Sequence, residues 1–183
     1  MIRSIHATLR SFKRDRRGVS AVEFALLSPF MVALYLGTVD ISDAIGVDRK
    51  LTLTAGAIAN LAAQTSSITA TDMTDLLKAG TSVMAPYPVA PLKITISCLK
   101  IDDKKVAKVK WSETKGGTKR GTNTGVTLDE ALAIPNTQLL FSEVSYDFTS
   151  FFIHSVVGDV TLKDKMYMSP RMSAPTYGTV ACT

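Results

Sequence analysis

The sequence predicts an α+β fold in which a long N-terminal helix, half membrane-spanning and half amphipathic stem, packs on a small antiparallel sheet of three to four strands. Three observations predict it. The segment from Gly18 to Val39 is apolar apart from one carboxylate. Beyond it, apolar residues keep helical spacing to about residue 62, and no proline intervenes before Pro86. From Leu92 onward, apolar residues recur at every second position, which is the period of strands.

The apolar segment is long enough to span a bilayer. As a helix, residues 19–39 would rise about 31 Å at about 1.5 Å per residue, close to the thickness of the hydrocarbon layer. Pro29 removes one backbone donor, which membrane helices tolerate with a slight bend. No small-residue cleavage site follows directly, because Asp40, Asp43 and Asp48 come next. We therefore expect a retained transmembrane helix over 19–39 rather than a secretory signal.

The net positive charge of the chain is carried entirely by the residues before this segment. The formal net charge is +5, and residues 1–18 hold six basic residues and one acidic residue, so the remainder is neutral. The positive-inside rule makes residues 1–18 a basic cytoplasmic leader and puts residues 40–183 across the membrane. Residues 2–12 suit either a short basic helix on the membrane surface or a flexible leader. We expect no nucleic-acid partner, because no basic patch remains outside the leader.

Periodicity also predicts the elements that follow the membrane helix. The first helix should continue to about Gln64, and its apolar stem stripe is the natural cover for the apolar face of the sheet. A second helix should begin after Thr69 and end before Gly80. We expect strands over 92–101 with a bulge near Leu99, over 107–111, over 139–148 and over 159–168, a short helix over 128–134, a mobile loop over 113–125, core packing of 151–157 and an irregular tail over 170–183.

The chain offers few candidates for catalysis. It has two histidines, His6 in the leader and His154 in an apolar run, and no catalytic arrangement of a nucleophile, a histidine and a carboxylate is apparent. The spacing of metal ligands is also absent. We therefore expect no enzymatic activity, no bound metal and no cofactor.

Cys98 and Cys182 are the only cysteines of the chain. In an oxidising compartment outside the cytoplasm they would form a disulfide that pins the tail to the first strand. In the loop-entropy model, such a link contributes on the order of 4 kcal/mol. The alternative is two free buried thiols.

Glu23 is the only charged residue within the apolar segment. A carboxylate at the centre of a bilayer costs a few kcal/mol unless it finds a partner. Glu23 lies near one end of the segment, so its side chain could instead reach the headgroups or Arg17.

The surrounding residues, Arg16-Arg-Gly-Val-Ser-Ala-Val-Glu-Phe24, resemble the processing site of type IVb pilins of the tight-adherence (Flp) system. In those proteins a prepilin peptidase cuts after a glycine, and a glutamate and an aromatic residue follow at the fifth and sixth mature positions. With the runs 25–30 and 36–40, the chain from Arg16 to Gln64 resembles the TadE-like family of pilus assembly proteins, also called minor pseudopilins. Here Phe24 replaces the commoner tyrosine, and Asp40 stands where glutamate is usual.

The resemblance implies that cleavage follows Gly18, that Val19 becomes the N-terminus, and that Glu23 pairs with the terminal amine of a neighbouring subunit. It implies a structural protein of the bacterial inner membrane with residues 40–183 in the periplasm. The implied partners are the prepilin peptidase and other pilins and pseudopilins of the tight-adherence machine. The alternative is a permanently anchored periplasmic binding or adhesion module that is not processed.

Overall fold

The computed structural model describes residues 17–152, 154 and 158–183. It separates into an N-terminal unit that ends at Ser42 and a C-terminal unit, Asp43–Thr183. The predicted leader lies outside the described residues except at its last two positions.

The first helix, α1, spans Arg17–Ala63 and contains Pro29. Its extent confirms the prediction of one helix that continues from the apolar segment into the stem. We call its portion within the C-terminal unit, residues 43–63, the stem. The fully buried residues of the stem follow helical spacing along one side: Val47, Leu51, Thr54, Ala55, Ile58, Ala59, Ala62 and Ala63.

The stem stripe covers the sheet as predicted. Leu51 and Ile58 belong to the same buried cluster as Ile94 and Ile96 of the sheet, so the stem supplies one half of the core. The sequence places Ile41 and Ile45 in the same stripe, but both are exposed. Ile45 lies two positions before Val47, which rotates it about 200° around the helix axis from the buried side.

The second helix, α2, spans Ala70–Val83. Its start is a capping box: the Thr69 hydroxyl accepts from the Asp72 amide at 3.2 Å, and the Asp72 carboxylate accepts from the Thr69 amide at 2.9 Å. The helix does not end before Gly80 as predicted. Gly80 is buried against Ile58, so this glycine permits close packing of two helices rather than ending one of them.

Among the described residues, five antiparallel strands form the main sheet: β2 Leu92–Ile101, β3 Ala107–Lys115, β4 Gly125–Val126, β5 Gln138–Thr149 and β6 Asp159–Met168. Their order in the sheet is β4-β3-β2-β5-β6. The sheet has one strand more than the predicted three to four. The additional strand, β4, has only two residues, which is too short to show a period in the sequence. Two short strands, β1 Ser67–Ile68 and β7 Thr176–Tyr177, form a separate two-stranded sheet.

The predicted bulge lies between β2 and β3. Cys98 is paired with Trp111 and Leu99 with Val109, which leaves Lys110 as the extra residue. Up to Cys98, the apolar residues of β2 face the stem; from Leu99 onward they join a second cluster on the outer face of the sheet. The sheet therefore needs cover on both faces.

The segment after β4 covers the outer cluster without forming the predicted helix over 128–134. Leu128 and Leu132 pack against the outer cluster, and the backbone between them makes only a turn in which the Ala133 amide donates to the Asp129 carbonyl at 3.2 Å. Pro135 follows at once, so there is no room for a second turn of helix. The helical spacing of the two leucines reflects burial on the sheet.

Residues 113–115 and Gly125 of the loop predicted over 113–125 belong to strands, and the rest of the loop is bonded to the sheet. Arg120 donates through Nη2 to Glu143 Oε1 at 2.7 Å, and its guanidinium lies 5.3 Å from the centre of the Phe141 ring. The Asn123 amide also donates to the Val109 carbonyl at 2.7 Å. These contacts come from residues far apart in sequence, which is why a polar, glycine-rich composition alone indicated mobility.

The tail returns to the start of the C-terminal unit. Strand β7 pairs in parallel with β1, and the Arg171 amide donates to the Ala63 carbonyl at the end of α1 at 2.9 Å. The Trp111 indole donates to the Pro175 carbonyl at 3.0 Å. Cys98 and Cys182 are joined by a disulfide with their Cα atoms 6.0 Å apart, so the predicted link is present in the structure.

The hairpin between β5 and β6 carries an exposed aromatic pair at its tip. Phe151 is 84% exposed and Phe152 is 44% exposed. The expectation that 151–157 packs on the core is wrong for these two residues, because β5 has already ended at Thr149 and they extend beyond the sheet. Residues 153 and 155–157 lie outside the described residues.

Candidate functional site

The candidate site lies in the first two turns of α1. Gly18, Val19, Glu23 and Phe24 all lie within this helix, and all four are exposed. A Cβ atom added at Gly18 would have no neighbour within 4 Å. The surroundings of the expected cleavage position are therefore open, and a larger side chain there would not disturb the packing of the described residues.

Helix geometry puts Glu23 on the same side as Val19. The four-residue separation corresponds to a rise of about 6 Å and about one turn. Glu23 makes no hydrogen bond or ion pair to another described residue. Its carboxylate is thus available, within this part of the chain, for a positive group supplied by another molecule.

The residues that follow form an exposed apolar surface. Among the described residues, α1 is the one helix long and apolar enough to cross a membrane, and none of its most apolar stretch is buried within the protein. Within residues 19–39, the large exposed apolar side chains are Val19, Val22, Phe24, Leu26, Leu27, Phe30, Met31, Val32, Leu34 and Tyr35. A surface of this size requires cover by lipid or by other helices.

Two hydroxyl groups of this segment are satisfied by the helix itself. Ser28 donates to the Ala25 carbonyl at 3.5 Å and Thr38 to the Leu34 carbonyl at 2.9 Å. Such bonds to the preceding turn let serine and threonine lie in an apolar environment without unpaired donors.

The C-terminal unit has a groove of about 490 Å³ between α2 and β3, lined by Lys78, Glu113, Lys115 and Tyr177 among others. Glu113 accepts from Lys119 Nζ at 2.8 Å and from the Tyr177 hydroxyl at 2.9 Å. Burial raises the pKa of Glu113, but the hydrogen bonds from Lys119, the Thr114 amide and Tyr177 outweigh it and lower the pKa overall. Glu113 is therefore an ionised structural anchor for the tail.

The described residues of the C-terminal unit include one histidine and several carboxylates. His154 is exposed, with Nδ1 3.6 Å from Asp159 Oδ1. It lines neither this groove nor a second cleft, which is lined by Arg120 and Glu143 among others. Among the residues described, no three His, Cys, Asp or Glu side chains are grouped so as to hold a metal ion.

Sequence reasoning did not find the exposed aromatic tip. Phe151 and Phe152 stand in an apolar run, and such runs are usually buried. The only signal in the sequence was position, because the run lies between two strands of a hairpin.

Comparison with known proteins bears on the same end of the chain. The family model described as TadE-like protein matches residues 18–60, from the glycine of the candidate site to near the end of the stem. This confirms the resemblance drawn from the sequence. The chain has no match among curated proteins and none among solved structures.

Proposed function

We propose, from the match of residues 18–60 to the TadE-like family model, that the chain is a structural, non-enzymatic component of tight-adherence (Flp, type IVb) pilus biogenesis. Its role would be that of a minor pilin or pseudopilin in the bacterial inner membrane. The observation that carries the proposal is the combination of a processing-like sequence with an uncovered apolar helix surface. A helix of this kind packs laterally against the helices of other pilins.

In this proposal a prepilin peptidase removes the basic leader after Gly18. The leader is cytoplasmic, because the whole positive excess of the chain lies there. The C-terminal unit is periplasmic, and its disulfide supports an oxidising compartment.

Cleavage would give Glu23 its partner. The new amine at Val19 and the carboxylate of Glu23 are each costly in lipid, and they neutralise each other only when two helices are aligned in one register. Within one helix, the pair is separated by about one turn. The carboxylate would then select the correct alignment of neighbouring subunits as well as lower the cost of burying both charges.

Processing can be tested with two glycine variants of the full chain. Gly18→Leu should remain uncut, since it changes the residue before the scissile bond, whereas Gly37→Leu should be cut normally. Neither substitution meets another atom within 4 Å in the described structure, so both should fold. N-terminal sequencing of protein from native membranes should find Val19 in the wild type and in Gly37→Leu only. An intact Met1 in wild-type protein from pilus-bearing cells would favour the anchored module.

The assembly role can be tested with Glu23→Gln, which removes the charge and keeps the shape. We expect this variant to be absent from sheared filaments and from the assembly machine while the C-terminal unit keeps its disulfide and melting temperature. Asp48→Asn, which removes a charge from an exposed position of the stem, is the matched control and should assemble. Normal incorporation of Glu23→Gln would refute the pairing.

A further inference from the structure

The tip of the β5–β6 hairpin presents aromatic surface to its surroundings. The rings of Phe151 and Phe152 lie 4.8 Å apart in an edge-to-face arrangement, and both are exposed to a degree unusual for phenylalanine. Val89 and Val160, which lie near the ends of the adjoining strands, are also exposed. Contiguous exposed apolar groups of this kind mark a contact surface.

The tip lies at the end of the C-terminal unit where the chain enters it. A cleft of about 270 Å³ at this end is lined by Asp43 and Val47 of the stem together with Tyr87, Phe148 and Thr149. Thr149 is the last residue of β5 and pairs with Asp159, the first residue of β6. The start of the stem and the base of the aromatic tip are therefore neighbours.

The lengths of the two elements agree with this placement. The Thr52 hydroxyl donates to Asp164, which fixes one level shared by the stem and β6. From there, the nine residues back to Asp43 correspond to about 13 Å of helix, and the five residues back to Asp159 correspond to about 16 Å of strand. The tip residues thus reach at least as far along the unit as Asp43 does.

The opposite end of the sheet has a different character. The β2–β3 turn there is Asp102-Asp-Lys-Lys105, and its charges are exposed or paired at the surface. The exposed aromatic pair lies at the end where the stem begins, and the charged β2–β3 turn lies at the end where the stem finishes.

We propose that Phe151 and Phe152 insert into the headgroup boundary of the membrane leaflet from which α1 emerges. The inference rests on the proposed function, in which the span ends near Val39. Asp43 is four residues, or about 6 Å of helix, beyond that point, so the chain enters the C-terminal unit close to the membrane surface. Phenylalanine is among the residues that surface-bound segments bury at the boundary between headgroups and acyl chains. The tip would act as a second attachment beside the helix, and two attachments stop the C-terminal unit from rotating freely.

The electrostatics of this end indicate an apolar mode of attachment. Asp43, Asp147 and Asp159 lie near the tip, and two lysines, Lys93 at 2.7 Å and Lys163, already act on Asp147. These carboxylates would not attract anionic lipid. Insertion of the tip should therefore depend little on the fraction of anionic lipid or on salt.

The test uses full-length protein in vesicles of phosphatidylethanolamine and phosphatidylglycerol, with a tryptophan reporter at the tip. Phe152→Trp is the reporter, and Val106→Trp is its matched control, since both positions are 44% exposed and Val106 adjoins the charged turn. Trp111, the only native tryptophan, is buried and gives the same background in both variants. The vesicles include phosphatidylcholine brominated near the headgroup end of its acyl chains, which quenches tryptophan on contact.

We expect the bromolipid to quench Phe152→Trp severalfold more strongly than Val106→Trp, and aqueous acrylamide to quench the two in the reverse order. Equal quenching of both variants by each agent, in protein that floats with the vesicles, would overturn the proposal. It would indicate a tip that faces water or awaits a protein partner. Failure of both variants to float with the vesicles would instead contradict the membrane anchor and with it the proposed function.

Discussion

Breaking the Cys98–Cys182 disulfide should lower the stability of the C-terminal unit by a predictable amount. The linked residues are 84 apart in sequence. The loop-entropy model gives a stabilisation of about 4.5 kcal/mol for a loop of that length. For a unit that runs from residue 43 to 183, this corresponds to a fall of about 15 °C in melting temperature.

Reduction is the cleanest form of this experiment, because it keeps both sulfur atoms in place. The full chain in detergent would be reduced under denaturing conditions, refolded with dithiothreitol and melted beside the oxidised protein. The double variant Cys98→Ala/Cys182→Ala should melt at the same or a lower temperature than the reduced protein, and dithiothreitol should not change it further.

The loss should be largest where the tail meets the rest of the unit. The Arg171 amide, which donates to the Ala63 carbonyl, should exchange its hydrogen faster after reduction, whereas amides at the centre of β5 should change least. A fall of less than roughly 5 °C, which corresponds to about 1.5 kcal/mol here, would refute the reasoning. The tail would then be held by its packing and hydrogen bonds rather than by the link.

Three further experiments, which use four variants, test the packing and charge of the C-terminal unit. Gly80→Ala should destabilise it by about 1–3 kcal/mol, since the new Cβ would lie 2.9 Å from Ile58 Cγ1. Gly56→Ala, which meets only a flexible methionine end at 3.9 Å, should be neutral or slightly stabilising. Equal urea midpoints for the two variants would contradict this. Arg120→Ala should speed cleavage of the loop after β3 by subtilisin at native pH, and an unchanged rate would mean that other contacts hold the loop. The lowered pKa of Glu113 adds stability above the ordinary value of 4.5, and this is lost as pH falls through the folded pKa. Glu113→Gln should therefore differ most from wild type above pH 4.5, and a constant difference in melting temperature down to pH 3 would count against the ionised anchor.

The helical part of the fold was predictable because its signal is long. The stem stripe repeats over several turns, and the capping box at Thr69 and Asp72 is local in sequence. The bulge after Cys98 was also visible, because a change of phase in a strand moves side chains to the other face.

The remaining features depend on contacts between distant residues, which local patterns do not show. The pairing of Arg120 with Glu143 fixes a loop that its composition marks as mobile. Gly80 carries the signal of a helix end, yet its role is to admit Ile58 from another helix. Leu128 and Leu132 have helical spacing because both rest on a sheet.

At the candidate site, the sequence identified the residues and the structure supplied their surroundings. Gly18, Glu23 and Phe24 were recognised from a local motif, and the match to residues 18–60 supports the same segment. The structure adds that this helix surface is uncovered. The roles of the individual residues depend on a neighbouring subunit and on the peptidase, and the sequence alone encodes neither contact.

The parallel pairing of β1 with β7 determines when this protein can finish folding. Strand β1 is among the first parts of the C-terminal unit to leave the ribosome, and β7 is among the last. Contacts between such distant parts of the chain form late and slowly. In the proposed topology, nearly all of the unit must cross the bilayer before it can close around its own beginning. The C-terminal unit would therefore cross the membrane incompletely folded, and its disulfide would form only on the oxidising side of the membrane.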